Sequence, residues 1–161
     1  MSVKKKSTLA SRVEMTELVL PNDTNLLGNL LGGRLMHWMD IAGGMSSSRF
    51  SNHTVVTAAV DNLTFHRPIK LGELVNLRAS VTWTGRTSME IKVTVYSEDT
   101  SSGKIYLANE AFFTFVALDD NGKPAPVPGL LIENEAEKRM FEAGEARRAM
   151  RLRLKAQRNE E

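Results

Sequence analysis

One acid stands in the middle of a stretch that reads as a helix. Within PNDTNLLGNLLGGRLMHWMDIAGGMSSSR, Pro21 to Arg49, Asp40 lies between Met39 and Ile41. It is the first candidate for chemistry, and the plain alternative is a solvated acid on an exposed helix face. With Asp40 at zero on a helical wheel, Gly33, Met36, Gly43, Gly44 and Ser47 fall within roughly 60° of it. Leu35, Trp38, Met39, Ile41, Ala42 and Met45 fall on the other side. The spacing predicts one apolar face and one nearly bare face with a carboxylate in it. Aspartate prefers helix caps to interiors, and an interior glycine costs about 1 kcal/mol relative to alanine. The pattern suits a place of close contact better than a plain solvated acid.

Other polar groups gather ahead of the helix. The loop PNDTN is turn-prone, and its Asn and Asp can simply cap their own turns. Alternatively it presents Asn25 as a positioned amide. Gly32 and Gly33 are either an ordinary first turn or a set of free N–H groups at the positive end of a helix. Such groups can hold a carbonyl oxygen or a developing oxyanion. Arg86, Thr87 and Ser88 follow a turn glycine. They form an ordinary polar hairpin or a place where a guanidinium and hydroxyls take a phosphate. Glu90 and Glu110 sit in strand patterns, either structural or exposed.

Several chemistries drop out. The chain has no cysteine, which removes thiolate catalysis and disulfides. His37, His53 and His66 are isolated, lack metal-ligand spacing and read as structural or surface residues. No serine lies in a nucleophile elbow, and neither a dinucleotide fingerprint nor a P-loop is present.

These residues need elements to position them. Arg12 to Leu20 reads as a strand, and the loop and helix follow. Val55 to Phe65 is a β-rich run stopped by Pro68. Leu74 to Thr84 alternates cleanly, Gly85-Arg86-Thr87 turns the chain, and Ser88 to Ser97 alternates again. Lys104 to Leu118 is a long apolar strand, and Pro124, Pro126 and Pro128 make an extended segment. Glu133 to Arg158 is a densely charged helix, amphipathic or solvated. Strands joined by tight turns are antiparallel, and one long helix with one apolar face needs a curved sheet to cover it.

The expected fold class is therefore α+β, with a long central helix, an antiparallel sheet of about five strands and a C-terminal helix. The 161 residues suit one domain over 12–132, preceded by a disordered basic segment (1–11) and followed by a charged helix and tail (133–161). Hydrophobic residues make up 42% and charged residues 25%, ordinary for a soluble globular protein. No apolar run is long enough for membrane insertion, the basic start lacks a secretory apolar segment, and a cytoplasmic location is expected. Net charge is +2, with basic residues at both ends, so no nucleic-acid partner is expected.

The pattern P-x-D-x-N-x-x-G-x-x-x-G-G-x-L-M-x-x-M-D, Pro21 to Asp40, resembles the hotdog-fold acyl-CoA thioesterases. The likeness is to the cytosolic long-chain (brain-type) hydrolases and their bacterial relatives. It continues in VVTAAVDNLTFHRPIKLGELV, in TGRTSMEIKV and in FFTFVALDDNGKPAPVP. The resemblance implies hydrolysis of a fatty acyl-CoA, medium to long in chain, to fatty acid and coenzyme A. Coenzyme A is then part of substrate and product, and no separate cofactor or metal is needed. It implies a catalytic pair, Asn25 and Asp40, meeting across a dimer interface. Asn25 would orient water or polarise the thioester, and the N–H of Gly33 would bind its oxygen. Gly32, Gly33 and Thr57 would lie at the site, with Arg86, Thr87 and Ser88 near the CoA nucleotide or phosphates. Gly43 and Gly44 would leave room for the partner subunit and the pantetheine arm. Self-association as a homodimer, and as a trimer of such dimers, is implied as well. One departure is Leu31, where many relatives have His or Phe; it leaves the pair intact. The rival readings are a hotdog hydratase or dehydratase, which wants a His with the acid, and a non-catalytic acyl-CoA-binding module.

Overall fold

The computed structural model describes residues 4–160. Strands β1 (Lys5–Ser7) and β2 (Val13–Leu18) precede helix α1 (Gly32–Ser51). Then come β3 (Thr54–Phe65), β4 (Leu74–Thr84), β5 (Ser88–Asp99), β6 (Lys104–Leu118), β7 (Gly129–Leu131) and helix α2 (Glu135–Arg158). Five strands form one antiparallel sheet in the order β2-β4-β5-β6-β3, and β1 pairs in parallel with β7. This is the α+β architecture expected: one long helix, a five-stranded antiparallel sheet around it and a terminal helix.

Alternation decides which side of each strand is inside. Val75, Leu77, Ala79 and Val81 on β4, and Met89, Ile91, Val93 and Val95 on β5, are all buried. They face the stripe Leu35, Trp38, Met39, Ala42 and Phe50 of α1, spaced at helical intervals. The helix ends at Asn52, left-handed at φ 58°, whose N–H bonds the carbonyl of Ser48.

Two expectations are corrected. Segment 1–11 was expected to be disordered, yet Lys5–Ser7 forms β1 and Thr8–Ser11 a 3-10 turn; residues 1–3 lie outside the described part. The turn is anchored because Ser11 Oγ accepts from Val81 N at 2.9 Å, and Ser46 Oγ donates to the carbonyl of Ser11 at 2.7 Å. The second correction concerns the bare helix face. A Cβ on Gly43 would lie 2.8 Å from the Phe115 ring, and one on Gly44 3.8 Å from it. Gly43 thus lets α1 press on its own sheet, whereas Gly44 makes only ordinary contact there. The buried arc is thereby turned by roughly 70° from the apolar stripe. Ile41 and Met45, expected inside, are left exposed.

Helix α2 is docked and not merely solvated. It crosses the outer face of the sheet, where Gly144 meets Trp83 and Glu90 so closely that a Cβ would be 2.8 Å from Trp83. Glu90 is 1% exposed and is held by Arg147 in a bidentate pair at 2.8 and 2.7 Å, and by Thr82 Oγ1 at 2.8 Å. The Arg147 guanidinium also stacks on Phe112 at 3.7 Å, and Arg151 bonds Asp61 of β3. Arg147→Ala leaves a buried carboxylate unpaired. It is expected to cost about 3 kcal/mol in denaturant unfolding at fixed protein concentration, and removing both charges by Glu90→Leu with Arg147→Leu should recover part of that.

Candidate active site

The loop before α1 is held by Asp23, which the sequence offers only as a cap for its own turn. Asp23 is buried; its Oδ2 accepts from Leu20 N at 2.9 Å, and its carbonyl accepts from Leu31 N at 2.9 Å. Its Oδ1 faces Arg34 Nε at 3.3 Å. One acid thus ties the loop's entry, its exit and the first turn of α1 together. The available signal was its place after Pro-Asn, where Asp caps a turn.

Asn25 sits at the heart of this loop. Its Oδ1 accepts from Leu27 N at 2.9 Å and Asn29 N at 3.1 Å, and its own N–H donates to the carbonyl of Asn29 at 2.9 Å. Both lone pairs of the amide oxygen are engaged by the loop. The network therefore fixes which end is nitrogen, and Nδ2 is left exposed as a free donor among the described residues. The turn closes through Gly28 at φ +77°, and Leu71 N bonds the carbonyl of Gly28 at 2.9 Å. At the tip, Leu26 and Leu27 are 106% and 83% exposed.

Gly32 and Gly33 open α1. The first helical bond is Leu35 N to the Leu31 carbonyl at 3.0 Å, so the N–H groups of Gly32, Gly33 and Arg34 have no acceptor among the described residues. Gly33 is open on its Cβ side, whereas Gly32 lies under the Phe65 ring. Beside it is a cavity of about 300 Å³ lined by Leu30, Gly32, Leu35, Phe65 and residues through Ile69.

Asp40 is half-buried two turns further along. Its Oδ1 accepts from Thr57 Oγ1 at 2.5 Å. Thr57 is on β3 at a register shift between Thr57 and Ala59, a bulge that re-aims a side chain. His37 is exposed and shares no hydrogen bond with Asp40 among the described residues.

The expected residues thus fall into separate groups. Asp40 and Thr57 are in contact, and Asn25 and the two glycines are joined by one loop. Along α1, however, Gly33 and Asp40 are seven residues apart, about 10 Å of helix rise. Arg86, Thr87 and Ser88 form the β4–β5 turn, with Arg86 exposed. Ser88 pairs with Val116, which pairs with Val56. That row puts the turn two strands from Thr57, about 10 Å across the sheet. The Pro-rich segment holds it, through Val127 N to the carbonyl of Arg86 at 2.9 Å.

Residues 27–104 match the family model "Thioesterase superfamily". The chain is 43% identical over 127 residues to an uncharacterized acyl-CoA thioester hydrolase of Bacillus subtilis, covering 79% of this chain and 74% of that one. It is 40% identical to the cytosolic acyl coenzyme A thioester hydrolase of Rattus norvegicus, with 92% of this chain covered, and it spans only 39% of that protein's length. An apo-hexameric acyl-CoA thioesterase superposes at TM-score 0.91 with 38% identity, covering 96% of this chain and 99% of that one. The acyl-CoA hydrolase of Staphylococcus aureus, solved in complex with butyryl coenzyme A, superposes at TM-score 0.85 with 34% identity, covering 96% and 97%. Three further structures of that enzyme carry alanine in place of an asparagine, an aspartate and a threonine, at spacings of 15 and 17 residues. Asn25, Asp40 and Thr57 have the same spacings. The chain belongs to the thioesterase superfamily, among the acyl-CoA thioester hydrolases of the hotdog fold.

Proposed function

We propose that this chain hydrolyses fatty acyl-CoA, medium to long in chain, to the free fatty acid and coenzyme A. The observation that carries this reading is a half-buried Asp40 bonded by Thr57, in a chain that presents a free Asn25 amide and free N–H groups at the start of the same helix among the described residues. Thr57 occupies one carboxylate oxygen and leaves the other to react. That oxygen either takes a proton from the attacking water or attacks the thioester carbon itself. In both routes the carbonyl oxygen gains negative charge, which the N–H of Gly33 and Nδ2 of Asn25 stabilise. Collapse breaks the carbon–sulfur bond, and the thiolate of coenzyme A takes up a proton. No metal or redox cofactor enters these steps.

A reacting carbonyl must lie about 3 Å from both the base and the oxyanion donors. Within one chain these are about 10 Å apart along α1. The reading therefore takes Asp40 and Thr57 from one subunit and Asn25 with Gly32 and Gly33 from a second. Strand β3 supports this, being a 12-residue edge strand with Val56 and Val60 exposed, as are Ile41 and Met45 of α1. Such an edge calls for a partner. The exposed Leu26 and Leu27 gain a surface to cover in the same step. A homodimer is thus the smallest active unit, and a trimer of dimers is proposed for the full assembly. Arg86, Thr87 and Ser88 are assigned to the nucleotide end of the substrate. No described helix is long and apolar enough to cross a membrane, and a cytoplasmic setting is part of the proposal.

Thiol release from an acyl-CoA series, from acetyl to palmitoyl, tests the reading with a thiol reagent. Turnover rising toward the longer chains is expected. No turnover with any chain length would leave a binding module.

A further inference from the structure

Two donors are assigned to the developing oxyanion, and they sit on different pieces of backbone. Nδ2 of Asn25 is on the loop, and the N–H of Gly33 is in the first turn of α1. Two such groups stabilise one oxygen only while their separation is held in advance. A displacement of about 1 Å is enough to lose much of the benefit.

The contacts of the loop show what holds that separation. The loop is a narrow hairpin: Leu31 N donates to the carbonyl of Asp23 at 2.9 Å, Thr24 pairs with Leu30, and Asn25 N donates to the carbonyl of Asn29 at 2.9 Å. Its other side leans on residues 69–71, through Leu30 N to the carbonyl of Ile69 at 2.7 Å and Leu71 N to the carbonyl of Gly28 at 2.9 Å. These bonds keep the hairpin folded and attached to the body. Toward α1 the backbone offers a hinge at Leu31, the N-cap, and a hinge leaves the tilt of the hairpin open.

A side-chain pair closes that freedom. Asp23 Oδ1 faces Arg34 Nε at 3.3 Å, and among the described residues this is the one side-chain bond or ion pair between the hairpin and α1. The carboxylate side is 10% exposed and the guanidinium side 41%. Capping its own turn needs one oxygen of Asp23, and Oδ2 does this on Leu20 N at 2.9 Å. Oδ1 is left over for the tie to the helix.

We propose that the Asp23–Arg34 pair is a positioning device of the hydrolytic site, which sets Nδ2 of Asn25 at its working distance from the N–H of Gly33. This deepens the acyl-CoA hydrolase reading and rests on it. Both side chains act through Asn25 and the first turn of α1, not on the substrate.

Asp23→Asn separates the two jobs of the acid. An amide oxygen still accepts from Leu20 N, while an amide nitrogen turned to the guanidinium cannot pair with it. With the best acyl-CoA substrate of the wild type, kcat should fall about tenfold and KM should stay within about twofold. Arg34→Gln should give the same fall, Arg34→Lys should recover part of it, and Asp23→Asn with Arg34→Gln should be no slower than either alone. The deciding measurement is made on Asn25→Ala. There the donor being positioned is gone, so adding Asp23→Asn should lower the residual rate by about twofold or less. A general loosening of the fold would instead cost the full factor in both backgrounds. If Asp23→Asn does not fold, Arg34→Gln at its half-exposed position decides by the same two measurements. Wild-type kcat in the single variants, or an undiminished tenfold cost in Asn25→Ala, overturns the proposal and leaves the hydrolase reading standing. A wild-type protein that hydrolyses no thioester overturns the parent reading and this one with it.

Discussion

Asp40→Asn is expected to lower kcat for acyl-CoA hydrolysis by about 10³-fold, with KM little changed. The substitution is close to isosteric. An Asn at this position still offers Oδ1 to the Thr57 hydroxyl, so the contact seen at 2.5 Å and the helix around it persist. What it loses is the second oxygen, which must either accept a proton from water or form a bond to the acyl carbon. An amide does neither. The acyl chain and the nucleotide are bound elsewhere, which is why the loss should appear in kcat. Stopped thiol release under saturating substrate gives the number, and a variant that keeps a tenth or more of wild-type kcat would remove Asp40 from the chemistry. The wild-type enzyme can then reveal the anhydride route. A single turnover in water labelled with heavy oxygen puts label only in the fatty acid if Asp40 is a base, and also if water opens an anhydride at the acyl carbon. Water opening the anhydride at the Asp40 carbon instead puts the label in Asp40, and the fatty acid leaves unlabelled with an oxygen taken from Asp40; that pattern identifies Asp40 as nucleophile. Thr57→Val tests the support for the carboxylate separately. It leaves both oxygens but frees the side chain to rotate, so its cost should be smaller than that of Asp40→Asn.

How much of this could be read beforehand varied with the range of the interaction. Strands β4 and β6 begin and end where the alternation and the apolar run do, because one-sided burial writes a period of two directly into the residues. Helix α1 was legible for the same reason at a period of 3.6. The pairing of β1 with β7 was not, since three-residue strands leave no pattern. The direction of Gly43 was also misread. A small residue says that something comes close, but it does not say what, and here it is Phe115 of the same chain. Glu90 was readable only as structural or exposed, because its partner Arg147 is 57 residues away and shows no local signature. The same holds at the site. Asp40 and Asn25 drew notice as single residues in unusual places. The lone pairs that lock Asn25, and the role of Asp23 in holding its loop, are matters of backbone geometry that residue types alone do not carry.

Mixing two inactive variants should restore activity. Asn25→Ala keeps Asp40 and loses the amide donor, whereas Asp40→Asn keeps the donor and loses the reacting carboxylate. Each homodimer has two defective sites. In the proposed two-fold dimer each site would take Asn25 from one subunit and Asp40 from the other. A mixed dimer therefore has one site with both lesions and one with none. Random exchange of equal amounts makes half the dimers mixed, and half of their sites intact, so about a quarter of wild-type activity should return. The two variants must be unfolded together and refolded, or co-expressed, because a long β3 edge pairing would exchange slowly. Recovery can be credited to the mixed species by giving each variant a different tag and purifying through both. The alternative is specific. If one chain closed its own site, Asn25 and Asp40 of the same subunit would work together, and every subunit in the mixture would still carry a lesion. Activity would then stay at the sum of the separate variants. The helix itself argues for recovery, since about 10 Å of rise separates the N–H groups of its first turn from the carboxylate in its middle. No rotation of a side chain brings both to one carbonyl, but a second copy of the helix, approaching across β3, can.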